Sequence, residues 1–338
     1  MKNVEQRFSA MAGALRRAWQ DGASWLPALY PLSALVAWVA RWRLLRFRRR
    51  GLRPPVPVLV VGNVTVGGTG KTPLVVALCE FCRARGLRVV VISRGYGSRA
   101  PAYPWLVEPG QSAQQAGDEP LLIARRTGVP VVIDPKRSRA LAYAVKQFNP
   151  DLVISDDGLQ HYALPRSVEI VVLDAQRGLG NGRCLPAGPL REPASRLDEV
   201  DYVVLNGRPD SRWPSASVMV LQLDDPVNLA TGERMPMEEF AARHPLVHAF
   251  AGIGNPSRFF SALSVWDIRV TGHPMADHYQ FSAADFAGLE GQTIVMTEKD
   301  AVKCSGLASN NFWYLPVSAR LSPVLFDDLL DRLHRSAR

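Results

Sequence analysis

From Pro54 onward the chain alternates short unbroken apolar runs with longer stretches of helical period. "VPVLVVGNV" (56–64), "LRVVVISRGYG" (87–97), "GVPVVID" (128–134), "PDLVISDDG" (150–158) and "SVEIVVLDA" (167–175) have the continuous apolar character of strands buried on both faces. "TPLVVALCEFCRARG" (72–86) and "KRSRALAYAVKQF" (136–148) place apolar residues at helical spacing, and Gly86 offers the first a stop. Strands alternating with helices predict an α/β fold of P-loop NTPase type: a mostly parallel sheet with helices on both faces. Strand patterns resume with "DYVVLNG", "SVMVLQL", "PLVHAFAGIG", "WDIRVTG", "GQTIVMTEKD" and "FWYLPVS", and "PVLFDDLLDRLHRS" closes the chain as a helix. A boundary near residue 205 is expected. It separates a first α/β domain (54–205) from a second, smaller α/β domain (206–338), and the last helix is free to pack on either. The glycine- and proline-rich stretch Gln176–Pro193 is too long for an ordinary connector and reads as a functional loop. No internal repeat or low-complexity tract is visible.

Residues 1–53 have a different pattern. "WLPALYPLSALVAWVA" (25–40) carries no charge and runs straight into "RWRLLRFRRR". Eleven Lys and Arg stand in residues 1–53 against Glu5 and Asp21, so this segment holds the whole net charge of +9. As a helix the apolar run would reach about 24 Å, short of the ~30 Å hydrocarbon core, and Pro27 and Pro31 weaken its start. Two placements remain. One is an apolar helix dipping into one leaflet with its arginines on anionic headgroups, which the pattern favours. The other is a helix docked on the protein's own core with a solvated basic end. With the charge confined here, and no basic patch interleaved with aromatics elsewhere, a nucleic-acid partner is not expected.

The four cysteines are too few for a disulfide framework, and Cys79-x-x-Cys82 falls inside a helical apolar run, as core thiols would. His244 and His248 have the i, i+4 spacing of metal ligands but lack the glutamate of H-E-x-x-H, and read as structural.

The segment that carries chemistry is "VGNVTVGGTGKTP" (61–73). It departs from G-x-x-x-x-G-K-[ST] only in having Thr65 where glycine is usual, which is tolerable if Thr65 keeps a negative φ. A strand, a glycine turn and Gly-Lys-Thr opening a helix suit a triphosphate: backbone N–H groups approach the phosphates and the helix dipole favours their charge. The candidate ATP-binding residues are Thr65, Val66, Gly67, Gly68, Thr69, Gly70, Lys71 and Thr72. Lys71 would reach the β/γ-phosphates, and Thr72 would hold Mg²⁺. "LVISDDGLQH" ends a strand on Asp156 and Asp157, the metal-side acids such a site needs. "AGDEP" puts Asp118 and Glu119 before a helix, on its own an N-cap pattern, and "ADHYQF" carries Asp277 and His278.

Taken in order, "GNVTVGGTGKTP", "SRGYG", "GDEP", "DDGLQH", "PAGPLREP", "FAGIGNP", "DHYQF" and "TEKDAVK" resemble the tetraacyldisaccharide 4′-kinase family of lipid A biosynthesis. Thr65 is usual in that family, whereas its D-H-H reads Asp277-His278-Tyr279 here, so no second histidine is available. The resemblance implies an enzyme at the cytoplasmic face of a Gram-negative inner membrane. It would transfer the γ-phosphate of ATP, with Mg²⁺, to the 4′-hydroxyl of a tetraacylated glucosamine disaccharide 1-phosphate. The family's catalytic acid falls on Asp118 with His278 as partner, its further acids on Asp156 and Asp157, and its activity-linked loop on Arg191 and Glu192. The implied partners are the acylated lipid and an anionic membrane surface, with no obligate protein partner. Two rival readings are weaker. A membrane-recruited P-loop ATPase switch of the partitioning type carries a second lysine where this chain has Val66. A GTPase needs N-K-x-D, which "TEKD" matches only loosely, with Glu298 in place of asparagine.

Overall fold

The computed structural model describes residues 13–336; Lys2, Glu5 and Arg7 of the basic segment lie outside the described residues. Helix α1 (Gly13–Asp21) leads through a 3₁₀ turn, Leu26–Leu29, into α2 (Tyr30–Arg49). Pro31 stands in the first turn of α2, where a missing N–H leaves no bond unmade. Strand β1 (Val58–Gly62) precedes α3 (Lys71–Ala84), and β2 (Val89–Ser93) and β3 (Trp105–Val107) precede α4 (Ala113–Ala116) and α5 (Asp118–Thr127). Then come β4 (Val131–Ile133), α6 (Arg137–Phe148), β5 (Leu152–Asp156), β6 (Val168–Asp174), β7 (Tyr202–Asn206) and β8 (Ser217–Leu223). After β9 (Val227–Asn228), α7 (Met237–Arg243), β10 (Leu246–Ala251) and α8 (Pro256–Ser264), the chain forms β11 (Arg269–Pro274) and β12 (Ile294–Thr297). It ends with α9 (Glu298–Cys304), β13 (Phe312–Leu315), β14 (Val317–Leu321) and α10 (Pro323–Ser336).

These elements form two compact units, and neither is a single stretch of chain. The first takes the described residues up to Lys71, then Asn149–Val220, then those from Leu321; the second takes Thr72–Phe148 and Leu221–Arg320. The consecutive blocks 54–205 and 206–338 therefore do not describe the units. Pairing overrides chain order: β8 lies parallel beside β7, which keeps residues 217–219 with the first unit. In the second, Arg126 of α5 bonds Asp224 at 2.7 Å and Glu298 at 3.0 Å, tying residues before 148 to residues after 220.

The strands of the first unit run β8-β7-β6-β1-β5, each pair parallel. All five residues of β1 are buried, which explains its unbroken apolar run. Close packing follows, and a Cβ added at Gly62 would stand 2.5 Å from Cβ of Leu159.

In the second unit β2 and β4 are parallel, and β3 pairs antiparallel with β4. Strand β3 has no counterpart among the expected strands, because three residues are too few to display a period. The other sheet of this unit runs β11-β10-β12-β13-β9, parallel except for β9. Its side chains divide by the two-residue period of a strand. Val247, Ala249, Val295 and Trp313 pack with Phe240 and Leu263 of α7 and α8. Phe250, Met296 and Phe312 pack on the opposite face with Ala301 and Cys304 of α9. All four cysteines are buried outside any disulfide, and burial pushes the Cys82 thiol up to about 11. His244 bonds Thr293 and His248 bonds His273, so both are structural.

Helix α2 belongs to the first unit and has one docked side and one exposed side. One side is docked: Leu26 and Leu44 are buried, Ser33 donates to the Cys184 carbonyl at 2.7 Å, and Phe47 meets the Tyr162 ring at 6.0 Å. The other side exposes Leu32, Leu35, Trp38, Trp42 and Leu45, three or four residues apart. The arginines are not all left for headgroups. Arg41 and Arg48 each reach Glu199 at 3.0 Å, and Arg43 lies over the Tyr162 ring. No single helix among the described residues is long and apolar enough to cross a bilayer; α1 and Leu26–Arg49 pass that test only together, bent by 111°.

Gly62→Ala should destabilise the first unit by about 1–3 kcal/mol, the usual cost of forcing a carbon into a packed core. A thermal melt followed by tryptophan fluorescence reads this as a lowered midpoint; an unchanged midpoint would mean that Leu159 yields freely.

Candidate active site

Register fixes the chemistry of the first unit. Val61 of β1 pairs with Asp156 of β5, and Gly62 with Val171 of β6. The loop leaving β1 and the acids ending β5 therefore emerge at the same carboxyl edge, where ligands of parallel sheets bind. Gly70 shows why glycine is needed in this loop: its φ is +94°, and a Cβ there would meet Asn206 Nδ2 at 2.7 Å. Thr65 is not among the non-glycine residues of positive φ, so the condition set for its departure is met. The loop is braced by its surroundings. Asn206 Nδ2 donates to the Thr69 carbonyl at 3.0 Å, Asn63 Nδ2 to that of Gly67 at 3.3 Å, and Arg177 to that of Gly68. One expected phosphate ligand is otherwise engaged: the Val66 N–H donates to the Pro189 carbonyl at 2.9 Å, so Val66 ties the loop to residues 189–191 instead. Arg191 N likewise donates to the Val64 carbonyl at 2.7 Å.

Lys71 Nζ lies 3.5 Å from Asp157 Oδ1, and Arg191 stands 3.3 Å from Asp157 Oδ2. Asp157 thus holds two cations at the mouth of the loop, from a backbone with φ of +47°. Its neighbour Asp156 is 1% exposed. Glu192, expected with the catalytic residues, is buried as well. The Tyr162 hydroxyl donates to its Oε1 at 2.6 Å, and Arg196 Nε stands 3.1 Å from its Oε2. Glu192 is thus sealed beside Arg191, bonded by Tyr162 and ion-paired with Arg196. Arg196 also binds Glu169, and Arg166 donates to Glu169 and to the carbonyls of Leu159, His161 and Leu164. This buried charge network secures the segment that follows Asp157.

Asp118 and His278 both belong to the second unit. Gly117 takes the N-cap position of α5, so Asp118 is its first helical residue and does not cap it. Asp118 is 4% exposed, and its Oδ2 lies 2.9 Å from His278 Nδ1. His278 has a φ of +60°, a left-handed conformation that costs a non-glycine residue about 1–2 kcal/mol. The Tyr96 ring lies 5.1 Å from its imidazole. Burial pushes the Asp118 carboxyl upward, but the hydrogen bond and charge of His278, with Lys299 and Lys303 beyond, outweigh it and hold the carboxyl below its ordinary value. The hydrogen bond to Asp118 in turn raises His278, against burial and the charge of Lys299.

Asn206, Arg177 and Glu169 were not expected. Arg177 fell in the loop singled out for its length, but nothing in the sequence announces that its guanidinium reaches Gly68.

A parallel α/β sheet, a glycine loop opening a helix at Lys71 and an acid pair on the neighbouring strand end define a P-loop enzyme of nucleoside triphosphates. The tetraacyldisaccharide-1-P 4′-kinase family (LpxK) matches residues 25–334, and the chain belongs to that family. It is 55% identical over 318 residues to the tetraacyldisaccharide 4′-kinase of Alcanivorax borkumensis, covering 94% of this chain and 96% of that one. It is 53% identical to the Azotobacter vinelandii protein of the same name, over 97% and 100% of the two chains. Among solved structures, LpxK from Aquifex aeolicus, crystallised in complex with ATP, superposes with a TM-score of 0.74 at 29% identity, covering 93% of this chain and 99% of that one.

The ionic form of the Asp118–His278 pair persists between the lowered pKa of the acid and the raised pKa of the base. As pH rises through the latter, the pair's contribution to stability is lost. His278 should therefore titrate above 6.5 in histidine NMR, and Asp118→Asn should move its midpoint down; a midpoint at or below 6.5 in the parent would contradict the pairing.

Proposed function

We propose that Asp118 accepts the proton of the acceptor alcohol while the loop ending in Lys71 and Thr72 holds the triphosphate. The family sets the reaction: the chain is an ATP-dependent kinase that phosphorylates the 4′-hydroxyl of a tetraacylated disaccharide 1-phosphate in lipid A biosynthesis. The observation that carries the residue roles is the hydrogen bond between Asp118 and His278, 160 positions apart in the sequence.

Phosphoryl transfer needs alignment and charge neutralisation more than covalent help. The bond formed joins the sugar oxygen to the γ-phosphorus, the bond broken joins that phosphorus to the β–γ bridging oxygen, and ADP leaves. In a loose transition state the proton departs late, so a carboxylate of depressed pKa is a sufficient acceptor if it is aligned. His278 orients that carboxylate through Nδ1.

Lys71, 3.5 Å from Asp157, would exchange that partner for phosphate oxygens, and Arg191 would follow the same charge. Among the described residues no group of three or more His, Cys, Asp and Glu is arranged to hold a metal. Magnesium with a nucleotide requires fewer protein ligands, since phosphates and water complete its octahedron, and hard oxygen donors suit it. The donors here, the carboxylates of Asp156 and Asp157 and the Thr72 hydroxyl, fit that chemistry. The ion would neutralise the phosphate charge.

The exposed stripe of α2 supports a membrane placement, at the cytoplasmic face of the inner membrane. Trp38 is 64% exposed, and Leu32, Leu35, Trp42 and Leu45 are exposed along the same side. Acyl chains leave a bilayer at about 0.8 kcal/mol per CH₂, so an enzyme of this substrate gains by coming to it.

Incubation with ATP, Mg²⁺ and a tetraacylated disaccharide 1-phosphate in detergent should yield a second phosphomonoester by ³¹P NMR. Lys71→Ala should remove it while the thermal midpoint holds, and substantial residual turnover would displace the loop from its role. Leu35→Ser with Trp38→Ser should lower partitioning onto phosphatidylglycerol vesicles by about tenfold or more, from the apolar area withdrawn; unchanged partitioning would move the anchor elsewhere.

A further inference from the structure

In the "TEKDAVK" segment Glu298 bonds Arg126, whereas Lys299 and Lys303 turn toward Asp118 and the neighbours of Asp118 and His278. Thr297 caps α9, accepting from Asp300 N at 3.2 Å, and the helix packs beside α5. Lys299 Nζ lies 3.0 Å from Glu119 Oε1 and 3.1 Å from Asp277 Oδ1. Glu119 follows Asp118 in the chain, and Asp277 precedes His278. One ammonium thus joins the immediate neighbours of both members of the pair. One turn on, Lys303 sits between Asp300 at 2.6 Å and Asp118 at 4.0 Å, with its side chain 1% exposed. Asp300 accepts from Gly252 N at 2.8 Å and from the Thr297 hydroxyl at 2.6 Å, so Lys303 is anchored from below.

We propose that Lys299 is a positioning residue for the Asp118–His278 pair, stapling the start of α5 to the turn that carries the imidazole. This rests on the reading of Asp118 as proton acceptor. The turn needs a staple. Between Pro274 and the 3₁₀ turn Ala283–Phe286 no strand or helix forms, and the backbone is tied by few bonds, Met275 N to the Ala251 carbonyl and Tyr279 N to that of Ala276. His278 is also held in a left-handed conformation that its own chain disfavours. Asp277 accepts from His278 N at 3.1 Å through the same Oδ1 that Lys299 grips, so the lysine acts one bond from the imidazole's backbone. Lys299 is the cation that Glu119 and Asp277 share, while Asp118 has Lys303 and His278. An ordinary surface lysine pairs with one carboxylate in water; this one is largely buried and joins two segments far apart in sequence.

Lys299→Met, Lys299→Arg and Glu119→Gln, with Asp118→Asn for reference, would be compared by kcat and KM for ATP and by NMR titration of His278. If Lys299 positions the pair, Lys299→Met lowers kcat about 10- to 100-fold with KM for ATP little changed, the scale set by a small misplacement of reacting groups. The His278 midpoint moves up, because an opposing cation has gone, and Lys299→Arg restores most of both. Glu119→Gln, which keeps the cation, shows a smaller loss of kcat and keeps the test open should Lys299→Met fail to fold. Parent values of kcat and of the His278 midpoint in Lys299→Met, or in Glu119→Gln if only that variant folds, overturn the proposal while an inactive Asp118→Asn leaves the catalytic reading standing. An active Asp118→Asn removes the catalytic reading, and the His278 midpoint still judges the staple.

Discussion

The parallel register of β1 between β5 and β6 is the constraint from which the first unit's chemistry follows. With Val61 beside Asp156, the glycine loop and the acid pair leave the sheet at one edge. An antiparallel neighbour would send the acids to the opposite end of the strand, about 17 Å away for five residues. Burial on both faces makes this register hard to slip, since moving one residue along would force Asp156 further into the sheet. The bracing of the loop depends on the same edge: Asn206, which holds the Thr69 carbonyl, ends β7 and pairs with Asp174 at the end of β6.

Charge is handled differently in the two units. In the first, cations and carboxylates alternate: Lys71 and Arg191 share Asp157, while the deeper set of Glu192, Arg196, Glu169 and Arg166 is balanced two against two. The outer group is partly open to water and can exchange partners with a polyanion; the inner one is sealed and can only hold its loops. In the second unit burial alone would drive Asp118 toward neutrality. The imidazole and two lysines win that contest, so the carboxylate is kept ionised where desolvation is severe. The proton-acceptor role proposed for Asp118 requires an anionic carboxylate before the alcohol arrives, and this arrangement supplies one.

Local order was largely legible in the residues. Runs such as "VLVV" and "EIVVLD" became buried strands because nothing else accommodates an unbroken β-branched stretch between turn signals, and Gly70-Lys71-Thr72 opened a helix as its pattern requires. Long-range relations were not. The division into units is discontinuous because strand pairing ignores chain order, and β3 is shorter than any period. Glu192 looked reactive beside Arg191 and proved buried, since its partners Tyr162 and Arg196 are set by packing that spacing does not encode. Asp118 by itself reads as a cap, and only the family resemblance pointed to His278, the partner it has from a turn 160 residues on.

The amino-terminal helix shows how two readings of one segment can both hold. Docking uses Leu44, Phe47 and the arginines that reach Glu199 and Tyr162; the apolar stripe uses Leu32, Leu35, Trp38 and Trp42. The faces are different, so adhesion to the body takes nothing from the proposed adhesion to lipid. Tyr162 makes the connection more than adjacency: its ring meets Phe47 of α2 while its hydroxyl holds Glu192, the neighbour of Arg191. From Arg191 the contacts run to Asp157 and on to Lys71. The helix proposed to meet the bilayer is thereby joined, through packed and charged contacts within one unit, to the lysine proposed to meet the triphosphate. Such a chain of contacts would fix that lysine relative to the membrane under the proposed placement, as an enzyme with a lipid-borne second substrate requires.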